Sequence, residues 1–416
     1  MIKTIAAFLL AVVTLFSSCQ EATIEKQIAS YMIPFEQVDQ TSFEEIANRI
    51  GDSDIVILGE AGHGDGKTYE VKAELVQYLM KEKGFNTLAL EGEGFIDLEL
   101  KNNLYTDLFP SADVSKWKPH WGDIVQTKGL VLDILHNENF NWKYIGLEGY
   151  NRNISVHDFL YTALEKIGVD VSIQNQFKET YEKMNQFKEE ITVEEIDFIL
   201  QTISSIIENI KDESKNGFIK QALVNIKGGI EDYKYLDVLG GYEGENNYVN
   251  IRDKRMAENV IWHKKNNPDA KIIVWIANFH GAKQVQNVRY RENDSELYQS
   301  FKLFAEYLVD AFHHKVYSIA FISSSGEVKD IHVNSTLGQI YTPENALEYY
   351  LHQGNTSFGY LDFNEIKMKE PKLKQTTFNS MLLGYDNKPG RWLDVFDGVF
   401  YIKKNEPLKM AEYQIW

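Results

Sequence analysis

Apolar runs and helical spacings alternate along this chain. Ile55–Leu58 is a short apolar run closed by Gly59, the pattern of a buried strand. A glycine-rich polar stretch follows, Glu60-Ala61-Gly62-His63-Gly64-Asp65-Gly66-Lys67-Thr68. Val71, Leu75, Tyr78 and Leu79 then fall at helical spacing, and Lys81, Lys83 and Gly84 supply a C-terminal stop. Thr87–Leu90 is a second buried strand ending at Glu91. Strand, helix and strand in that order predict a parallel pair with a right-handed crossover. The same alternation predicts helices over Phe43–Ile50, Ile96–Leu104, Ile124–His136, Arg252–Lys265 and Ser300–Ala311. It predicts further strands over Trp142–Leu147, Lys271–Trp275, Val316–Ile322 and Asp397–Lys403. Ser323–Arg391 gives no readable pattern. The expected class is α/β, a mostly parallel sheet flanked by helices.

One long region breaks the alternation. From Ser155 to Leu239 no strand pattern occurs, and Val193, Ile196, Ile199, Leu200, Ile203, Ile206, Ile207 and Ile210 keep helical spacing. An inserted helical subdomain at about residues 155–240 is expected, packing as its own bundle and walling a cleft. Gly240-Gly241-Tyr242-Glu243-Gly244 reads as a hinge, and Phe109–Trp121 as an irregular aromatic loop.

The first residues change the setting. Lys3 precedes the apolar run Ile5–Phe16, too short for a comfortable membrane span. Leu15-Phe16-Ser17-Ser18-Cys19 then resembles a bacterial lipoprotein cleavage box. The expected division is a signal peptide at 1–18, a tether at 19–33 that runs into a first short helix, and a folded domain at 34–416, with lipid on Cys19. The protein is then held on a bacterial envelope membrane, periplasmic or surface-facing; a plain signal peptide is the blander alternative. Cys19 is the only cysteine, so no intramolecular disulfide forms. A formal net charge of −18 excludes a nucleic-acid partner, since phosphate binding needs a basic face. No protein partner is expected.

Candidate chemistry gathers at one place. A parallel crossover puts Glu60, His63 and Glu91 on one rim of the sheet, where ligands of open α/β sheets sit. His280 falls just past another strand, on the same rim if that strand is parallel. Three readings compete. Ala61–Thr68 matches a relaxed phosphate loop with alanine at its first glycine, but Glu60 sets a carboxylate against phosphates. Acid–base hydrolysis uses His63 as base, Glu60 as its partner, Glu91 as a second acceptor and Lys72 to steady an oxyanion. A metal is the third reading, since Glu60, His63, Glu91 and His280 are ligand types zinc or manganese accepts. No compact metal signature accompanies them, so no metal is expected to be required. Lys72 also has a bland reading as a solvated helix lysine. His313-His314 reads as surface or packing.

These residues resemble a known family. Gly59-Glu60-Ala61-Gly62-His63-Gly64 resembles the Gly-Glu-x-x-His-Gly signature of erythromycin esterase-like proteins. The resemblance continues at Gly84-Phe85, Leu90-Glu91, Arg252-Asp253, Met256–Asn259 and Trp275–His280, and faintly at Phe396-Asp397. It implies an α/β core with an inserted helical region and metal-free hydrolysis of a macrolide lactone, an antibiotic-resistance chemistry. It implies His63 as general base, Glu60 and Glu91 as acidic partners and His280 as the late histidine. Arg252 and Asn278 are the expected substrate contacts. Two positions depart: Lys72 stands where the family commonly has arginine, and Ala277 where its late motif often has a first histidine. The superfamily also holds members whose substrates are not antibiotics. The expected activity is therefore hydrolysis of an ester or lactone in a small-molecule or macrolide-like substrate. A non-catalytic binding lipoprotein on the same scaffold and a metal-dependent hydrolase are the alternatives.

Overall fold

The computed structural model describes residues 23–102, 119, 121–136, 141–149, 160–162, 164–165, 168–186, 191–211, 213–235, 248–290, 297–329 and 338–411. Eight strands form the main sheet: β1 (Ile33–Phe35), β2 (Ile55–Leu58), β3 (Thr87–Gly94), β4 (Lys143–Glu148), β5 (Ile272–Trp275), β6 (Val316–Ser323), β7 (Phe358–Asp362) and β8 (Gly398–Ile402). Their order is β1-β7-β8-β6-β2-β5-β3-β4. From β8 to β4 every neighbouring pair is parallel, while β7 runs antiparallel to both β8 and β1.

The helices that position the site are α1 (Gln40–Ile50), α2 (Gly66–Glu82), α3 (Phe95–Lys101), α4 (Val171–Gln186), α5 (Val193–Asn209), α6 (Glu213–Tyr233), α7 (Tyr248–Asn266), α8 (Asn278–Gly281) and α9 (Phe304–Phe312). The period-2 geometry of a strand splits β2 between two cores. Val56 and Leu58 pack with α1 and α2 on one face; Ile55 and Ile57 pack with α7 and α9 on the other. Both faces are thus covered, which is why β2 and β5 are apolar at every position. Each such buried side chain stabilises the fold by about 1.5–3 kcal/mol.

The region from 160 to 233 contains helices and no strand among its described residues, and Ile196, Ile199, Ile203, Phe218 and Leu223 give it a core of its own. Phe95 and Ile96 of α3 join that core and tie it to the sheet. A cavity of about 500 Å³ opens in this bundle beside Ile173, Phe198 and Ile206; none of the rim residues lines it. The short helix expected in the 19–33 stretch is Ile24–Ala29, capped by Thr23. Its Ile28 is fully buried, so the folded unit begins before residue 34 and that boundary moves back. Cys19, the signal segment, the hinge at Gly240–Gly244 and most of the Phe109–Trp121 loop lie outside the described residues. Among the described residues no helix is long and apolar enough to cross a membrane.

Candidate active site

Strand order decides which side chains meet. β2, β5, β3 and β4 are consecutive and parallel, so their C-terminal ends share one rim. Glu60 follows β2, Ala277 and His280 follow β5, Glu91 lies in β3 and Glu148 ends β4. The β3–β4 register breaks between Leu90 and Gly94. A bulge there re-aims side chains at the rim, and Gly92 takes a φ of 81°, open to glycine without strain.

The first cluster is built on the loop after β2. Glu60 is buried, its Oε1 3.2 Å from His63 Nδ1. Its other oxygen accepts a hydrogen bond from Lys72 Nζ. The His63 side chain is 45% exposed, against 2% for that of Glu60 and none for that of Lys72. The bond to Glu60 raises the His63 pKa to about 9, against the opposing effect of burial. Lys72 lies on the inner stripe of α2 with Leu75, Val76 and Leu79, so it is not a solvated lysine. Its Nζ also sits 4.2 Å from the Trp275 ring centroid, a cation–π contact. Burial pushes the Lys72 pKa down, and Glu60 opposes that. The oxyanion role expected for Lys72 does not fit this place: a fully buried amine bonded to Glu60 holds the carboxylate rather than a substrate.

The second cluster is built around Arg252 on α7. Its Nε donates to Glu148 Oε2 at 3.2 Å, its Nη2 to Glu91 Oε1 at 3.0 Å and also to Glu148 Oε1, and its Nη1 to His280 Nε2 at 2.9 Å. Glu91 Oε2 accepts the Ala277 N–H at 2.8 Å. Burial alone would raise the Glu91 pKa; the charge of a protonated His280 and that of Arg252 outweigh it and hold the carboxyl at about 2. His280 Nδ1 lies 2.8 Å from the buried Asp253, whose Oδ2 also accepts the Phe304 N–H that starts α9. Arg252 can only donate, so its Nη1 bonds His280 Nε2 only while the ring is neutral with its proton on Nδ1. Burial disfavours a second proton, but the Asp253 and Glu91 charges outweigh it and raise the His280 pKa; in the acid range where Glu91 titrates the ring is protonated and Nε2 turns from Arg252.

The two clusters feel each other: Glu91 raises the His63 pKa and His63 lowers that of Glu91. Asn278 stands apart from both. Its Nδ2 donates to Phe321 O and Leu382 O, each at 2.8 Å, its Oδ1 accepts the Phe321 N–H, and its own N–H bonds Glu60 O. At 1% exposure it ties β6 and the Leu382 segment to the loop, so the substrate contact expected of Asn278 is not what this amide makes. A Cβ on Gly59 would stand 2.0 Å from its Oδ1, which explains that glycine.

The phosphate-loop reading fails on space. A Cβ at Gly64 would meet Lys329 O at 1.8 Å, and one at Gly66 would meet Pro407 O at 2.6 Å. The glycines admit other chain segments, and the Lys67 N–H donates to Glu406 O and Asn405 Oδ1. Among the described residues no group of three or more His, Cys, Asp or Glu is arranged to hold a metal ion. The donor atoms of Glu60, Glu91 and His280 turn instead to Lys72, Arg252, Asp253 and backbone N–H groups.

The sequence reading left out Glu148 and Asp253 as site members. Glu148 had a signal, since it closes a strand with an acid and a glycine as Glu91 does. Asp253 adjoins Arg252 but had no geometric signal.

The erythromycin esterase family model matches residues 135–404, a span that carries Glu148, Arg252, Asp253 and His280. The chain belongs to the erythromycin esterase family. Glu60, His63 and Glu91 precede the matched span and enter the same rim through β2 and β3. YbfO of Bacillus subtilis (strain 168), provisionally named a hydrolase, is 23% identical over 399 residues, covering 85% of this chain and 84% of its own. A crystal structure described as a succinoglycan biosynthesis protein superposes with a TM-score of 0.71 at 17% identity, over 94% of this chain and 99% of that one. A Bacillus cereus protein gives 0.71 at 19%, over 93% and 99%. A histidine-to-asparagine mutant of the erythromycin esterase EreC, in its open conformation, gives 0.64 at 13%, over 93% and 98%. These likenesses establish the fold. Family membership supports a hydrolase of esterase-like kind.

Proposed function

We propose that this family member hydrolyses an ester or lactone bond in the bacterial envelope, with His63 as the base that activates water. The observation that carries the reading is the Glu60–His63 pair: a buried carboxylate behind a half-exposed imidazole on the ligand-binding rim. Glu60 fixes the ring through Nδ1 and strengthens it as a base. Lys72 holds Glu60 in place and offsets its charge. Of the five guanidinium N–H groups of Arg252, four are taken up by Glu91, Glu148 and His280. The fifth has no partner assigned among the described residues, and it is our candidate donor to the substrate carbonyl oxygen. His280, with both ring nitrogens engaged, orients that guanidinium. The arrangement uses no metal. Lipid on Cys19 would keep the enzyme at the membrane.

The test is the full chain carrying His63→Ala, assayed with wild type on a panel of aryl esters, alkyl esters and macrocyclic lactones. The expected result is loss of turnover with the fold intact. Turnover undiminished in the variant would refute the reading. Binding without turnover in both proteins would favour a non-catalytic binding protein, and stoichiometric zinc or manganese in freshly purified protein would favour a metal-dependent enzyme.

A further inference from the structure

Asp65 stands at the N-cap of α2 yet makes no capping bond. An aspartate there ordinarily accepts N–H groups of the first helical turn. Here the C-terminal segment caps the helix instead, and the Lys67 N–H goes to Glu406 O and to Asn405 Oδ1, each at 3.2 Å. The Asp65 carboxylate turns back toward the loop. Its Oδ2 accepts the Gly62 N–H at 3.1 Å and the Tyr385 hydroxyl at 2.8 Å, and it is fully buried. Asp65 and Gly62 are also joined through the Asp65 N–H and Gly62 O at 3.2 Å, which closes the turn around His63.

Tyr385 reaches this point on an unusual backbone. Its φ is 63°, directly after Gly384 at 75°. A bulky aromatic in the left-handed region is held there only when its surroundings over-determine it, and such residues concentrate at functional sites. The same loop carries Leu382, whose carbonyl accepts from Asn278 beside Glu60. One bond from this distant segment thus reaches the loop that carries Glu60 and His63, and a second reaches Asn278, whose own N–H bonds Glu60 O.

We propose that Tyr385, acting through Asp65, is a positioning residue that sets the His63 imidazole on Glu60. Neither residue touches a reacting atom. The consequence for turnover rests on the hydrolase reading, but the positioning does not. Asn405 Nδ2 also reaches Asp65 Oδ1, at a longer 3.5 Å. Without the hydroxyl, the Gly62–Asp65 turn loses the shorter of its two outer anchors and the Glu60–His63 contact loosens. Glu60 acts on the ring by hydrogen bond and charge, Glu91 by charge, and Lys72 opposes them. A looser contact therefore lets the His63 pKa fall.

The experiment is histidine-specific carbon–proton NMR of the full chain, with His63 assigned by a His63→Gln variant. It compares wild type, Tyr385→Phe, Asp65→Ala and Asp65→Asn. Wild-type His63 should titrate near 9. Tyr385→Phe and Asp65→Ala should lower its midpoint by about one unit or more, toward the ordinary value of about 6.5. Asp65→Asn, whose amide oxygen still accepts from Gly62 and Tyr385, should retain most of the wild-type shift. Midpoints within about 0.3 unit of wild type in Tyr385→Phe and Asp65→Ala, with unchanged thermal unfolding, would overturn the proposal. If Asp65→Ala does not fold, Tyr385→Phe decides alone. Because no substrate is involved, failure of the hydrolase reading in the His63→Ala assay leaves this result unaffected.

Discussion

The two halves of the rim are built from the same residue types and behave differently. Around Arg252, four side chains satisfy one another: Glu91, Glu148, His280 and, through His280, Asp253. Around Glu60, one member is left half exposed, the His63 ring. The first half is a closed network in which each charge has a fixed partner, and such networks define geometry. In the second half the imidazole is half exposed. On the proposed reading the contrast divides the labour: the Arg252 half shapes the rim and orients the substrate carbonyl, and the His63 half exchanges the proton. Carboxylates alone do not mark the reacting group; the exposure of the base they hold does.

Breaking the open half should have the largest effect. His63→Ala should lower kcat/KM by about 10²–10⁴-fold, the usual span for removal of a general base, with a thermal midpoint close to wild type. Breaking the closed half should show in stability. Arg252→Met leaves Glu91 and Glu148 buried without their cation and should destabilise by about 3–5 kcal/mol, read from denaturant unfolding. Asn278→Ala strands the Phe321 N–H and the Phe321 and Leu382 carbonyls, and should cost about 2–4 kcal/mol. The closed half should also carry an acid-sensitive contribution. The Glu91 pKa lies at about 2 when folded, below its ordinary 4.5. Its stabilisation is therefore complete above about pH 4.5 and lost as pH falls through about 2, on the order of 3 kcal/mol in all. Glu91→Gln should remove that pH dependence from the unfolding free energy. Each result sharpens the contrast only if His63→Ala leaves stability alone and the others do not.

Much of this was legible where neighbours in sequence are neighbours in space. The apolar run of β2, its glycine, the loop and the returning strand with Glu91 announce a parallel unit and the rim where Glu60, His63 and Glu91 gather. β1 and β7 were missed because β1 spans only Ile33–Phe35 and the segment around β7 mixes short elements with turns. Lys72 could have been read correctly, since it shares a helical stripe with Leu75, Val76 and Leu79. The role of Asn278 could not, because its partners Phe321 and Leu382 lie far along the chain. Asp65 and Tyr385 are 320 positions apart. A contact of that span leaves no periodicity for a pattern to reveal, and the same holds for the meeting of Lys67 with Asn405 and Glu406. Local chemistry writes itself into spacing; the clamps that aim it do not.

On the proposed reading, Glu60 makes His63 the working base. That claim is tested most directly by the pH dependence of kcat/KM, on any ester the wild type turns over, in wild type and Glu60→Gln. Only the neutral ring accepts a proton, so wild-type activity should rise with pH to a plateau through an apparent pKa near 9. Glu60→Gln should move that rise down toward about 6.5, with a lower plateau. The same inflection in both proteins would contradict the account.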